Sequence, residues 1–277
     1  MYLRPTTLRE TCAALAGRQW TLLAGGTDHY AARVGERRDE DILDLTAVAA
    51  LRGIRRQGRG WRIGATTTWT DVLRARLPAA FDALKAAARE VGGAQIQNAG
   101  TVAGNLCNAS PAADGVPPLL ALDARVELRS ARGVRQLPLE QFILGARKTA
   151  LEPGELVAAV HIPAPAPGAR SHFLKLGARR YLVISIAMVA VVLETKDRRI
   201  ARARVAVGAC SAVAQRLRRL ESALAGARAD ARLGQIAQPG HLDLLKPLDD
   251  LRASAIYRQE AALTLVRRAL GEAGGGA

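Results

Sequence analysis

From Gly92 to Asp114 the chain reads GGAQIQNAGTVAGNLCNASPAAD, a run of glycine, small side chains and hydroxyls almost free of bulk. Such a run cannot build a core. It confines the chain to folds in which other segments supply the packing, while this one offers backbone N–H groups and short hydroxyls to a ligand. Upstream, Trp20 to Leu23 reads as a short buried strand that runs directly into Ala24, Gly25, Gly26, Thr27 and Asp28, a step that exposes several N–H donors to an anion. Either run alone is an ordinary turn. Two of them in one chain suggest a single large phosphorylated cofactor. Neither spells G-x-G-x-x-G, and no G-x-x-x-x-G-K-[ST] occurs, so neither a doubly wound dinucleotide fold nor a P-loop is supported.

With 277 residues and 49% hydrophobic content the chain can bury a sizeable core in one to three domains. Forty Lys and Arg against 25 Asp and Glu give a net charge of +15, which invites a nucleic-acid or anionic membrane partner. The basic residues are dispersed arginines and aromatics are only 4%, too few for a base-stacking surface, so nucleic acid is not the expected partner. MYLRPTTLRE lacks the apolar core of a secretory signal, and the longest apolar run, Tyr181 to Leu193, is too short to span a membrane. The expected location is the cytoplasm. Cys12, Cys107 and Cys210 are far apart and form no C-x-x-C pair, which fits free thiols and argues against an iron–sulfur cluster in this chain. The four histidines form no metal-binding spacing, and neither a Ser-His-Asp nor a paired-carboxylate site can be composed.

Taken in order, Thr6 or Thr7 caps a helix to about Ala16, Trp20 to Ala24 follows as a strand, and the first glycine loop opens a short helix. Asp41–Leu45, Gly53–Arg56 and Trp61–Gly64 read as strands. A helix from Thr68 to about Leu77 stops at Pro78, and a second runs to about Val91 before the long glycine loop. Pro117 opens a helix reaching Leu122, Ala124–Leu128 and Gly133–Leu137 form a hairpin, and Leu156–Ile162 adds a strand. Pro163, Pro165, Pro167 and Gly168 mark a linker. Beyond it, Ile186–Glu194 and Ile200–Ala209 form a second hairpin, Gln215–Ala225 and Ala253–Leu270 read as helices, and Gly271–Ala277 reads as a frayed tail.

At the glycine runs the chain resembles the FAD-binding, or medium, subunit of the molybdenum hydroxylases, the family of xanthine dehydrogenase and aerobic carbon monoxide dehydrogenase. LLAGGTD (Leu22–Asp28), NAGTVAGNLCNASPAAD (Asn98–Asp114), GARKTALEPGELV (Gly145–Val157) and FLKLGARR (Phe173–Arg180) carry the likeness in the family's order, and DDLRASAIYR (Asp249–Arg258) extends it. The resemblance implies an α+β fold. A two-subdomain FAD-binding domain of the PCMH, or vanillyl-alcohol-oxidase-like, type is expected over residues 1–166, with subdomains about 1–53 and 54–166. A smaller α/β C-terminal domain of the carbon monoxide dehydrogenase flavoprotein type is expected over 167–277.

The same resemblance implies the cofactor contacts. Leu22, Leu23, Ala24, Gly25, Gly26, Thr27, Asp28 and His29 belong to the first loop, and backbone amides at Gly25 to Thr27 would hold an FAD phosphate. Thr101, Gly104 and Asn105 belong to the second loop; here Ala103-Gly104 stands where the family commonly has Gly-Gly, which bears on how closely the backbone can approach the cofactor. Asp114 reads as a helix cap by itself and as a ribose or adenine ligand by resemblance, with Ser110 beside it. Leu156 or Val157 would make an apolar contact. Lys175, which alone reads as a solvent-facing strand lysine, would sit near the flavin and raise its potential. Tyr181 would stack on the ring.

The implied activity is electron transfer in a heterotrimer: electrons from a large molybdenum-cofactor subunit reach FAD through 2Fe-2S clusters of a small subunit and leave for an external acceptor. No catalytic acid–base residue and no metal ligand is expected here. A stand-alone FAD oxidoreductase of the vanillyl-alcohol-oxidase type is the alternative in the same superfamily, and a basic scaffold or nucleic-acid-binding protein is the alternative from another class.

Overall fold

The structure, a computed structural model, describes residues 1–32, 35 and 39–275. Three sheets carry the architecture. The first is parallel, with Ile42–Asp44 between Tyr2–Leu3 and Thr21–Leu23. Helix Leu8–Gly17 connects its outer strands and begins with a capping box, in which the Thr7 hydroxyl accepts from the Glu10 amide and the Glu10 carboxylate accepts in return.

The second sheet is antiparallel, in the order Ile54–Gln57, Gly60–Gly64, Leu156–Ile162, Arg125–Ser130, Gly133–Pro138. Its central strand, LVAAVHI, is buried along almost its whole length, as an apolar run without alternation requires. Helices Trp69–Arg74, Asp82–Glu90 and Val116–Ala121 join these strands to the rest of the core. The small pair Ile143–Gly145 and Lys148–Thr149, with the turn of helix Leu139–Phe142 before it, has no counterpart in the sequence reading.

The third sheet follows the linker: Arg170–Leu176, Ala187–Lys196, Arg199–Gly208 and Gln215–Arg216, all antiparallel. Its second strand explains the longest apolar run. Met188, Ala190 and Val192 point into the large N-terminal core, while Ala187, Val189, Val191 and Leu193 point into a second core beneath helix Ala255–Gly275. Successive side chains face opposite sides of a strand, so one buried on both faces must be apolar throughout. The N-terminal part is also tied to this sheet by charge. Arg216 donates to the Leu120 carbonyl at 3.0 Å and to Asp123 at 2.9 Å, and the rest of its guanidinium is held by Glu221.

Four sequence expectations change. The glycine run is not one long loop: it holds helices Ala94–Ala99 and Val102–Asn108, the second capped by Thr101, whose hydroxyl accepts from the Gly104 amide at 3.1 Å. The helix expected to reach Leu77 ends at Arg74, because Pro78 disfavours helical geometry in the residue before it and the last turn opens out. Gln215 and Arg216 are a strand, and the helix starts only at Arg218, since the Arg216 side chain is drawn to Asp123 and Glu221. The C-terminal helix runs on to Gly275. A side chain at Gly274 would lie 2.6 Å from the Asp230 carbonyl oxygen and one at Gly271 3.0 Å from that of Ala231, so the glycines are where the helix touches another backbone. Residues 276 and 277 of the expected tail lie outside the described residues.

Candidate cofactor site

The two glycine segments meet. Gly25 has no room for a side chain, because a β-carbon there would lie 2.1 Å from the Ala99 carbonyl oxygen. Gly26 has φ +69°, the left-handed region that glycine enters without strain, and this turns the chain into the short helix Thr27–Ala31. Among the described residues the amides of Gly25, Gly26 and Thr27 meet no acceptor. They remain donors to whatever lies beside them.

Beside them opens a cleft of ≈ 720 Å³. Volumes of a few hundred to about 1,000 Å³ are usual for small-molecule and cofactor sites. The whole segment from Leu22 to His29 lines it, and so do Thr101, Gly104, Asn105, Ser110, Asp114 and Val157. Most of the residues named from the sequence are therefore brought to one wall. Three stand elsewhere. Leu156 is fully buried in the core, its neighbour Val157 taking the place on the cleft; Tyr181 is 63% exposed and off the lining; Lys175 lies behind Asp114.

The second glycine segment contributes differently from the first. The amides of Val102, Ala103, Gly104 and Asn105 are spent on Thr67, Ala65 and Thr101, so they are not available to an anion. Ala103 sits in the helix with φ outside the left-handed region, and its methyl is buried, so this position does not require a glycine. What this wall offers is side chains. The Asn105 Oδ1 and Thr66 Oγ1 atoms are buried and, among the described residues, have no hydrogen-bond partner.

Asp114 does not cap the following helix, whose N-cap is Gly115 and carries no side-chain cap bond. Its carboxylate is held from across the molecule instead: Lys175 Nζ donates to Oδ2 at 2.8 Å and the Ser185 hydroxyl to Oδ1 at 2.6 Å. Burial pushes the Asp114 carboxyl above its ordinary range, against the pull of the Lys175 ammonium. Lys175 is also bonded to the Glu90 carbonyl and is not solvent-facing. Its charge enters the site as half of an ion pair, which projects a weaker field than a lone ammonium would.

Sequence reasoning passed over several lining residues. Leu182, Val183 and Ile184 close one side from the third sheet's approach segment, next to the Tyr181 that the pattern singled out. Cys107, Asn108 and Arg147 lie inside the blocks that carried the resemblance, so their positions were visible though no chemistry marked them. Desolvation pushes the Cys107 thiol up to about 12, which keeps it un-ionised at neutral pH. All three cysteines are free thiols.

Residues 1–165 match the model of the FAD-binding domain in molybdopterin dehydrogenase, and residues 172–273 match that of the CO dehydrogenase flavoprotein C-terminal domain. The chain belongs to the FAD-binding subunits of the molybdenum hydroxylase family. It is 31% identical to the xanthine dehydrogenase FAD-binding subunit of Escherichia coli O157:H7 over 282 residues, covering 98% of this chain and 95% of that one. It is 30% identical to the carbon monoxide dehydrogenase medium chain of Hydrogenophaga pseudoflava, with 98% and 96% covered. Among solved structures, reconstituted CO dehydrogenase from Oligotropha carboxidovorans superposes with a TM-score of 0.92 at 28% identity, over 100% of this chain and 98% of that one.

This FAD-binding subunit is thus part of an oxidoreductase, and its cofactor is FAD. The cleft fits that group on its own observations: unpartnered amides at Gly25 to Thr27 suit a phosphate, and buried, unpartnered oxygens at Thr66 and Asn105 suit a ligand rich in hydroxyls and amide-like edges. No helix is long and apolar enough to cross a membrane, and among the described residues no cluster of three metal-ligating side chains occurs.

Proposed function

We propose that this chain is the electron-transfer subunit of a three-chain molybdenum hydroxylase, standing between 2Fe-2S clusters of a small partner and an external electron acceptor, with the molybdenum cofactor in a large partner. The observation that carries the reading is the meeting of the two glycine segments at one cleft, where the amides of Gly25, Gly26 and Thr27 lie beside short polar side chains, aliphatic residues and the charged groups of Asp28, Asp114 and Arg147. FAD supplies the step between paired and single electrons. The chain's own groups hold and shelter it: amides at Gly25, Gly26 and Thr27 bind a phosphate, Asn105 and Ser110 orient neighbouring polar atoms, and Val157 with Leu182 to Ile184 keeps water from the apolar part. Asp114, Lys175 and Ser185 fix one side of the cleft. Division into a flavin domain of residues 1–166 and a C-terminal domain of 167–277, and a place in the cytoplasm, belong to the same reading. Support comes from relatives described as FAD-binding subunits and medium chains of dehydrogenases.

Reconstitution tests it. The chain purified alone is expected to bind FAD and show flavin absorbance, yet to oxidise no aldehyde, purine or aromatic heterocycle until the iron–sulfur and molybdenum chains are added. Turnover by the lone chain would overturn the proposal in favour of a self-sufficient flavin oxidase.

A further inference from the structure

Thr66, Thr67 and Thr68 follow the strand Gly60–Gly64 in succession, and the structure accounts for two of their three hydroxyls. Thr67 Oγ1 donates to the Gly53 carbonyl at 3.2 Å and accepts from the Gly53 amide at 3.0 Å. Thr68 Oγ1 accepts from the Asp71 amide at 3.2 Å and caps the next helix. Among the described residues Thr66 Oγ1 has no partner, although the residue is only 5% exposed. A buried hydroxyl left unmet is costly, and native folds meet almost all of them.

The place of that hydroxyl gives its partner. Of the three threonines only Thr66 lines the flavin cleft. Its backbone is fixed: its amide donates to the Leu51 carbonyl at 2.8 Å, and the carbonyls on either side of it, of Ala65 and Thr67, receive the amides of Ala103 and Val102. The residue is therefore anchored where the second glycine segment hangs from the sheet, and its side chain cannot leave the wall without disturbing that junction.

We infer that Thr66 is a cofactor-positioning residue whose hydroxyl hydrogen-bonds bound FAD. No sequence motif marks it, because threonines at the end of a strand are common and only the folded chain shows which of the three is left unmet. The inference rests on the cleft being the FAD site.

Thr66→Val keeps the shape of the side chain and removes the hydroxyl, whereas Thr66→Ser keeps the hydroxyl. FAD titration of flavin-free protein, followed by flavin fluorescence, is expected to show affinity weakened roughly 3- to 10-fold in the valine variant, the loss of one hydrogen bond, and largely restored in the serine variant. The melting temperature of the flavin-free valine variant is expected to stay level or rise, because an unmet polar group is replaced by an apolar one. A valine variant that binds FAD as wild type does overturns the inference, and so does a fall in the flavin-free melting temperature, which would reveal a partner within the protein. Failure of the wild-type chain to bind FAD would instead overturn the reading of the cleft itself.

Discussion

Lys175 and Asp114, 61 residues apart in the chain, form a buried ion pair 2.8 Å across, and Ser185 closes it from the other oxygen at 2.6 Å. The pair pins the end of the strand Arg170–Leu176 to the loop that carries one wall of the cleft, so the segment from Leu182 to Ile184 is held over the cleft by a residue that resemblance names as a direct cofactor ligand.

Removing one member of this pair leaves the other charge buried alone. Asp114→Ala is expected to cost about 3–5 kcal/mol of stability, well above the ~1 kcal/mol of a lost helix cap, and to weaken FAD at the same time. Urea unfolding and flavin titration on the same preparations check both. Asp114→Asn combined with Lys175→Met is expected to cost less than the sum of the two single changes; strict additivity would mean the two side chains do not act as a pair.

At Gly25 the two glycine segments touch, and a methyl group would meet the Ala99 carbonyl at 2.1 Å. Gly25→Ala is expected to push the segments apart and empty the site of flavin while the far-ultraviolet circular dichroism stays native. Gly26→Val acts by another route, forcing a β-branched residue to φ +69° with Tyr30 2.9 Å from the new carbon. Full flavin occupancy in both variants would remove this loop from the site.

Acid sensitivity has a specific source at Asp250. Amides of Arg252 and Ala253, with the Arg258 guanidinium at 2.7 Å, hold its carboxyl at about 2, below the ordinary 3.8. A depressed carboxyl contributes stability above its unfolded pKa and loses it as pH falls through the folded one. Asp250→Asn is therefore expected to be less stable than wild type at pH 6, with the gap in melting temperature narrowing between about pH 4 and pH 2. A gap that stays constant over that interval would show that ionisation of Asp250 is not involved.

What the sequence determined by itself is what local chemistry dictates: a cap at Thr6 or Thr7, the helix start at Thr68, the strands on either side of Ser130–Arg132 and of Thr195–Arg199, the glycine step at Gly25-Gly26, and a family resemblance strong enough to imply FAD. These depend on side chains a few residues apart, and spacing records them. Tertiary structure alone decided the rest. That Asp114 meets Lys175 and Ser185 instead of capping a helix, that Thr66 is the unmet hydroxyl among three, that Val157 lines the cleft while Leu156 is core, and that Gly271 and Gly274 are packing contacts all turn on which distant backbone lies alongside. A residue's own neighbours fix its backbone and its face. The partner across the interior is fixed only once sheets and helices have packed, because a buried charge or hydroxyl is satisfied by whatever group is within about 3 Å, regardless of its distance along the chain.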